Sequence, residues 1–272
     1  MRKNKIALSG FIMIFAAIPL RIISLGPTVT EEIYLLGAED CLVGCTTYCQ
    51  RPEGAKKKEK VGNVVEVSVE KIVSLKPDVV LASSLTNRRA ISKLEKLGIK
   101  VVSFTQAKDF AEICDQFLSL GKIIGKEKKA EEILVSAKKD ADRIKQKVQG
   151  LSHPKIFVVL GVKPLFTVTK DSFINDLIEM AGGVNITREA RSGCYSREEV
   201  VRLNPDIIII TTMGLAGKEE ESAWRRFGTL SAVKNNRIYV IDSYLICSPT
   251  PVSFVQVLKK MVQIFHPELG QL

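Results

Sequence analysis

SVEKIVSLKPDVVLASS at 68–84 and SREEVVRLNPDIIIITT at 196–212 are two versions of one pattern, 128 residues apart. Each keeps a Ser, a Glu two positions on, Leu-x-Pro-Asp, and then at least four apolar residues. Ser68, Glu70, Leu75, Pro77 and Asp78 thus answer to Ser196, Glu198, Leu203, Pro205 and Asp206. The Ser sits where a helix N-cap belongs, and the Glu lies in the first turn, where the helix dipole favours a carboxylate. Ser196 and Glu199 also fit a capping box. The apolar run that follows reads as a buried strand. One such unit per half predicts two related lobes, and a cleft between lobes is a preferred place for a small ligand.

Working outward, short apolar runs alternate with stretches of helical period, which predicts an α/β fold with largely parallel strands in each lobe. In the first lobe, over 21–125, the expected strands are 21–25, 42–47, 79–83 and 100–104, with helices over 30–37, 87–98 and 110–125. Lys126 to Gln149 contains neither Gly nor Pro and carries an apolar stripe at Ala130, Ile133, Leu134, Ala137, Ala141, Ile144 and Val148. That stripe predicts one helix, roughly 36 Å long at 1.5 Å per residue, bridging the lobes over 126–150 and limiting their swing. The second lobe, 151–272, offers strands at 155–161, 206–211 and 237–242 and helices at 172–183, 196–203 and 251–265. Loops at 48–67, 184–195 and 243–250, together with Ser83 to Thr86, are expected to line the cleft, because ligands sit beyond strand ends in open α/β sheets.

The 272 residues are 46% hydrophobic and 26% charged, with a net charge of +10. The positive charge is interleaved with acids, as in KEKKAEE at 126–132, and the single Trp leaves no aromatic platform. A nucleic-acid role is therefore not expected. Residues 1–20 read as a basic start followed by an apolar run of about 15, the layout of a secretory signal. An exported protein is expected, periplasmic or at the cell surface. The poor cleavage site around Phe15-Ala16-Ala17 leaves anchoring by an uncleaved leader open, and no Cys follows the run to suggest a lipoprotein. Six cysteines at 41, 45, 49, 114, 194 and 247 permit disulfides outside the cytoplasm, but spacing selects no pairing. Cys49, Cys194 and Cys247 fall in the loops expected at the cleft.

The segments RIISLGPTVTEEIYLLGAEDCLVGCTTYCQRPEG, KVGNVVEVSVEKIVSLKPDVVLASS, SREEVVRLNPDIIIIT and AVKNNRIYVID resemble the helical-backbone periplasmic binding proteins of ABC importers, the receptors for cobalamin, haem and ferric siderophores. The resemblance extends over 21–267 and implies two Rossmann-like lobes joined by one long connecting helix. It also implies a permease dimer as partner, a monomeric receptor and no cofactor beyond a bound metal chelate. Family members dock one glutamate per lobe into the permease, which places that role on Glu70 and Glu198. GVKPLFTVTKDSFINDLIEMAGGVNI at 161–186 is closest to the cobalamin-binding branch, in which Tyr48 matches an aromatic that stacks on the corrin and Phe166 a ligand-facing position. Tyr48, Cys49, Ser83, Ser84, Phe166, Arg191, Tyr195 and Tyr244 are the expected ligand contacts. The chain departs from that branch at Val64, Ser83 and Ser243, where cobalamin receptors carry tryptophans. A related corrinoid or a ferric chelate fits those departures. Trp224 lies in a charged segment away from the expected cleft.

No catalytic residue or metal ligand is expected. His153 and His266 each precede a Pro at a helix end, and two histidines are too few for a bare-metal receptor. Arg51, Arg88 and Arg191 lie near cleft loops and would suit an anionic chelate. A competing reading is an enzyme acting on a tetrapyrrole or iron chelate through Cys49, Cys194 and Cys247. Against it, the chain has no G-x-G-x-x-G, phosphate loop or nucleophile elbow.

Overall fold

In a computed structural model that describes residues 20–211 and 216–270, both copies of the repeat fold alike. Ser68 caps α3 (Val69–Ser74) by accepting from the Lys71 amide, and Ser196 caps α8 (Arg197–Leu203) within a complete capping box with Glu199. The x of Leu-x-Pro-Asp is left-handed in both copies, Lys76 at φ 46° and Asn204 at φ 47°. That turn swings the chain off the helix and into the next strand. The Asp then has a purpose the sequence did not disclose. Asp78 accepts the Arg21 amide at 2.7 Å and Asp206 accepts the Lys155 amide at 2.9 Å. Each clamps its strand to the neighbouring one just before its first residue.

The first lobe comprises β1 (Ile22–Ser24), α1 (Pro27–Leu35), β2 (Leu42–Cys45), α2 (Glu53–Lys56), β3 (Glu59–Lys60), α3, β4 (Val79–Ala82), α4 (Arg88–Lys96), β5 (Lys100–Ser103) and α5 (Phe110–Ile123). Its sheet is parallel throughout, in the order β3-β2-β1-β4-β5. The bridging helix α6 runs Glu127–Lys147, 21 residues, shorter than the 126–149 expected. Gly125 and Gly150, at φ 71° and 79°, turn the chain at either side of it.

The second lobe adds β6 (Lys155–Val159), the hairpin β7 (Gly161–Val162) and β8 (Leu165–Phe166), α7 (Phe173–Met180), β9 (Val184–Asn185), α8, β10 (Ile207–Ile210), α9 (Ala216–Arg225), α10 (Ser231–Lys234), β11 (Ile238–Val240), α11 (Ser243–Cys247) and α12 (Pro251–Phe265). Its parallel sheet is ordered β11-β10-β6-β9.

Two stretches read as loops carry short helices, α2 in 48–67 and α11 in 243–250, and the charged segment around Trp224, given no element in the sequence reading, forms α9. Asp242 nucleates α11 by accepting the Tyr244 amide at 2.8 Å, a cap hidden among Cys, Ser and Tyr. In α9 the single Trp supplies the buried face. Trp224 is fully buried against Phe157 and Phe227, with ring centroids 5.8 and 5.7 Å away.

The core is only partly divided between the lobes, each of which keeps a smaller apolar cluster of its own. One apolar cluster takes in Ile22 and Phe117 of the first lobe, Leu134 and Ile144 of α6, and Leu177, Phe254 and Phe265 of the second. Phe110 stacks on Phe254 at 4.6 Å, and the Phe110 amide donates to Asp176 Oδ2 at 2.8 Å. The back of the molecule is therefore a packed spine.

His153 Nδ1 and His266 Nε2 both face the turn after α7, 2.9 Å from Gly182 O and 3.2 Å from Ala181 O. Residues 1–19, which hold nearly all of the expected leader, lie outside the described residues. Among the described residues no helix is long and apolar enough to cross a membrane.

Candidate functional site

A cavity of about 350 Å³ opens between the lobes at the ends of the first lobe's strands. The β1–α1 turn and first turn of α1 line it with Gly26 to Val29, the β4–α4 turn with Ser83 to Leu85, and the β5–α5 turn with Phe104 to Ala107. These are the turns that follow parallel strands, where the sheet leaves backbone and side chains free to meet a ligand. The second lobe closes the cavity with Phe173 and with Cys247 to Pro249. Gly26 is needed for closeness: a Cβ there would stand 3.1 Å from Ser83 Cβ.

Of the expected contacts, Ser83 and Ser84 line this cavity, together with Val64. Tyr48 and Tyr244 meet across the cleft instead, the Tyr244 hydroxyl donating to Tyr48 O at 3.2 Å. Arg51 completes this join. Its Nη2 lies 3.1 Å from Glu31 Oε2 on its own lobe and donates to Tyr244 O at 2.6 Å on the other, with the guanidinium 5.6 Å from the Tyr244 ring centre. Burial pushes the Glu31 carboxyl up, and Arg51 partly offsets this. The pair forms a latch between lobes 193 residues apart in sequence.

The other expected contacts lie elsewhere. Phe166 is 44% exposed on the β7–β8 hairpin, its ring packed over Gly193, where a Cβ would come within 2.6 Å. Tyr195 packs edge-on to Phe157 at 6.4 Å as part of the second lobe's own core. Arg191 is exposed and is not part of the cavity wall. Ser243 is buried at the start of α11.

Cys49 does not face the cleft. It is fully buried, its Sγ 3.1 Å from Thr30 Oγ1 and 3.2 Å from Thr46 Oγ1. Hydrogen bonding from Cys45 and from those hydroxyls lowers the Cys49 thiol to about 6; Cys45 is raised in turn, although Lys60 Nζ stands 3.2 Å from its sulfur. All six thiols are free. Of the three cysteines on which an enzyme would depend, only Cys247 lines the cavity, and desolvation raises its thiol despite the Thr211 hydroxyl at 3.6 Å.

The cavity wall also contains groups that the sequence reading passed over. Phe104, Gln116 and Phe173 fall within predicted elements and Thr105 to Ala107 just after one, and none was marked as a cavity residue. Glu32 had a visible signal: it interrupts the buried stripe Val29, Ile33, Leu36, where a charge is out of place.

Glu70 and Glu198 are exposed at the second position of α3 and α8, one per lobe. The Glu70 carboxyl is held below its usual range by its own backbone amide and by the Ser68 hydroxyl, which donates at 3.2 Å.

Two parallel-sheet lobes packed on a bridging helix, with a cavity walled by both, define a solute-binding protein. The chain belongs to the periplasmic binding protein family, which it matches over residues 22–245. It is 33% identical over 260 residues to an uncharacterized ABC transporter substrate-binding lipoprotein, YvrC, of Bacillus subtilis, covering 92% of this chain and 81% of the relative. A vitamin B12-binding protein of Vibrio cholerae is 28% identical over 234 residues, 85% of this chain and 84% of the relative. Among solved structures, a possible iron-binding periplasmic solute-binding protein from Staphylococcus epidermidis superposes with a TM-score of 0.80 at 29% identity, covering 90% and 98% of the two chains. The family consists of solute-binding proteins that work with ABC transporters outside the cytoplasm.

Proposed function

We propose that the protein captures a corrinoid in the inter-lobe cleft and hands it to the permease of an ABC importer. It does so as an exported monomer with no cofactor of its own, catalysing no reaction and binding no nucleic acid. The cavity walled by both lobes carries the reading, because a ligand bound there can favour one lobe arrangement over another. The resemblance of 161–186 to the cobalamin-binding branch and the similarity to the Vibrio protein support a corrinoid. Val64 and Ser83 on the cavity wall, small where tryptophans would add stacking area, favour a corrinoid held by its edges over one sandwiched between rings. Those residues also support a second reading, a ferric chelate, as does the name of the Staphylococcus structure.

At 350 Å³ the cavity is at the low end of ligand sites, which run from about 300 to 1,000 Å³. A corrin is accommodated once the lobes part at the latch. Closure on the ligand is then differential affinity between two arrangements. Glu70 and Glu198 dock the loaded receptor on a two-fold permease, one carboxylate per lobe, meeting basic sockets on the partner.

The test is retention of a chromophore. Purified protein is mixed with cobalamin, dicyanocobinamide, haemin or a ferric catecholate, desalted, and its absorbance recorded. One equivalent of corrinoid is expected. Retention of the catecholate alone selects the second reading, and a chemically altered product with nothing retained overturns both. Glu70→Lys with Glu198→Lys is expected to abolish uptake in cells while leaving corrinoid affinity unchanged.

A further inference from the structure

One side chain in the cavity wall is inconsistent with a purely structural role. Glu32 lies on the wall and is only 3% exposed. Among the described residues, no hydrogen bond or ion pair reaches its carboxyl. Arg51, which pairs with the adjacent Glu31, is occupied with that carboxylate and with Tyr244. A buried carboxyl with no partner is costly, and a Leu on this face of α1 would cost nothing. The other polar groups that line the cavity, among them Thr28, Ser84, Thr105, Gln106 and Gln116, are neutral donors and acceptors, and among the described residues no Lys, Arg or His lines it.

We propose that Glu32 pairs with a carboxamide of the ligand and so selects amide-bearing corrinoids over tetrapyrroles that carry carboxylates. The inference rests on the corrinoid reading above. A carboxylic acid and a primary amide are complementary twice over, the acid O–H donating to the amide carbonyl and an amide N–H donating to the acid carbonyl. A ligand carboxylate has no N–H to give, and it sets a second negative group against Glu32 and Glu31. A ligand cation would require Glu32 to ionise in a water-poor pocket, where the ion pair gains little over its desolvation. The neutral lining matches an amide better.

The protonation state agrees. Burial, and then the neighbouring Glu31, push the Glu32 carboxyl well above its ordinary value. When ligand closes the pocket, an ionised Glu32 must take up a proton. Affinity is therefore constant while Glu32 is protonated and falls as pH rises through its titration. The other titratable groups that act on it or feel it are Glu31 on α1 and Cys114 on α5, the latter also near Lys138 of α6. Cys114 is raised to about 11, chiefly by burial, and Cys247 on the cavity wall is raised too, so neither titrates near neutrality. Cys49, near 6 and bonded to Thr30 of the same helix, does titrate there, and a Cys49→Ser background removes it.

The experiment measures affinity for dicyanocobinamide and for dicyanocobyrinic acid, its carboxylate counterpart, from pH 5.5 to 8.5, with wild type, Glu32→Gln and Glu32→Leu, each also in Cys49→Ser. Wild type is expected to prefer cobinamide, with affinity declining at the alkaline end. Glu32→Gln, which can still donate and accept, keeps the preference and loses the decline. Glu32→Leu loses about tenfold toward cobinamide, the cost of an unanswered buried amide. Equal cobinamide affinity in Glu32→Leu, or the same alkaline decline in Glu32→Gln as in wild type, overturns the inference and leaves the corrinoid reading standing. Failure of wild type to bind either corrinoid at any pH overturns the corrinoid reading itself.

Discussion

Removing Arg51 should make the receptor bind a macrocycle more tightly. The latch holds the lobes together in front of a cavity too small for a corrin, so it competes with loading. Its strongest part is the charge-assisted bond from Arg51 Nη2 to Tyr244 O at 2.6 Å, a type worth about 1.5–3 kcal/mol. Arg51 and Glu31 side chains are 29% and 20% exposed, so solvent screening places the loss near the lower end, about 1.5 kcal/mol. Apparent affinity is the intrinsic affinity times the fraction of molecules able to accept ligand. A shift of about 1.4 kcal/mol is tenfold, so Arg51→Met should lower the Kd for dicyanocobinamide by about tenfold. Tyr244→Phe removes only the hydroxyl bond to Tyr48 O, a neutral bond of about 1 kcal/mol, and should give about fivefold. Stopped-flow absorbance separates the cases: both variants should gain in kon with little change in koff. A tenfold loss of affinity in Arg51→Met, carried by koff, would refute the reasoning and move Arg51 into the ligand-bound arrangement.

Three further outcomes follow from buried groups. Because the Cys49 thiol is lowered to about 6, it contributes stability that is present above the unfolded thiol range and lost as pH falls through 6. The stability difference between wild type and Cys49→Ala, from urea unfolding, should therefore grow from pH 6 to pH 9; a flat difference counts against a buried thiolate. Glu32 has the opposite sign: its raised carboxyl costs the fold stability above the ordinary carboxylate range, so Glu32→Leu should gain in Tm over wild type at pH 8 and lose that gain by pH 4. Glu220, 5% exposed, meets Arg197 Nη2 at 2.7 Å while that guanidinium lies 4.7 Å from the Trp224 ring centre. Glu220→Ala strands the arginine and should cost about 3 kcal/mol in urea unfolding, and a cost under 1 kcal/mol would show the pair to be dispensable.

The duplicated motif disclosed the architecture because its constraints are local. A Ser cap, a left-handed residue before Pro and a β-branched run each act within a few residues, so Ser68 and Ser196 cap their helices as the pattern demands. The cavity was half legible. Strand ends led to Ser83 and Ser84, since that rule depends only on the order of elements. It failed at Cys49 because exposure in a loop depends on which way a turn faces, and Thr30, 19 residues away, turns the thiol inward. Tyr195 was lost to the core for the same reason, claimed by Phe157 of β6. Glu32 was legible in principle as a charge within an apolar stripe; only the packed structure shows that nothing answers it.

The placement of rigid and breakable contacts bears on how the lobes could part. At the back, α5, α6 and α12 share one apolar cluster that crosses from lobe to lobe, and Phe110 on Phe254 is worth about 0.5–1.5 kcal/mol beyond its burial. Separating the lobes there would expose that core, whereas separating them at the front breaks a few polar contacts, among them those of Arg51 and Tyr244. Any opening must therefore pivot on the spine and act at the mouth. The two lobes carry their exposed glutamates on separate helices, so a partner that grips both can bear on this pivot from outside. If Glu70 and Glu198 are the docking points proposed above, the duplication has a mechanical meaning: one carboxylate would suffice to attach the receptor, but two are needed to pry it.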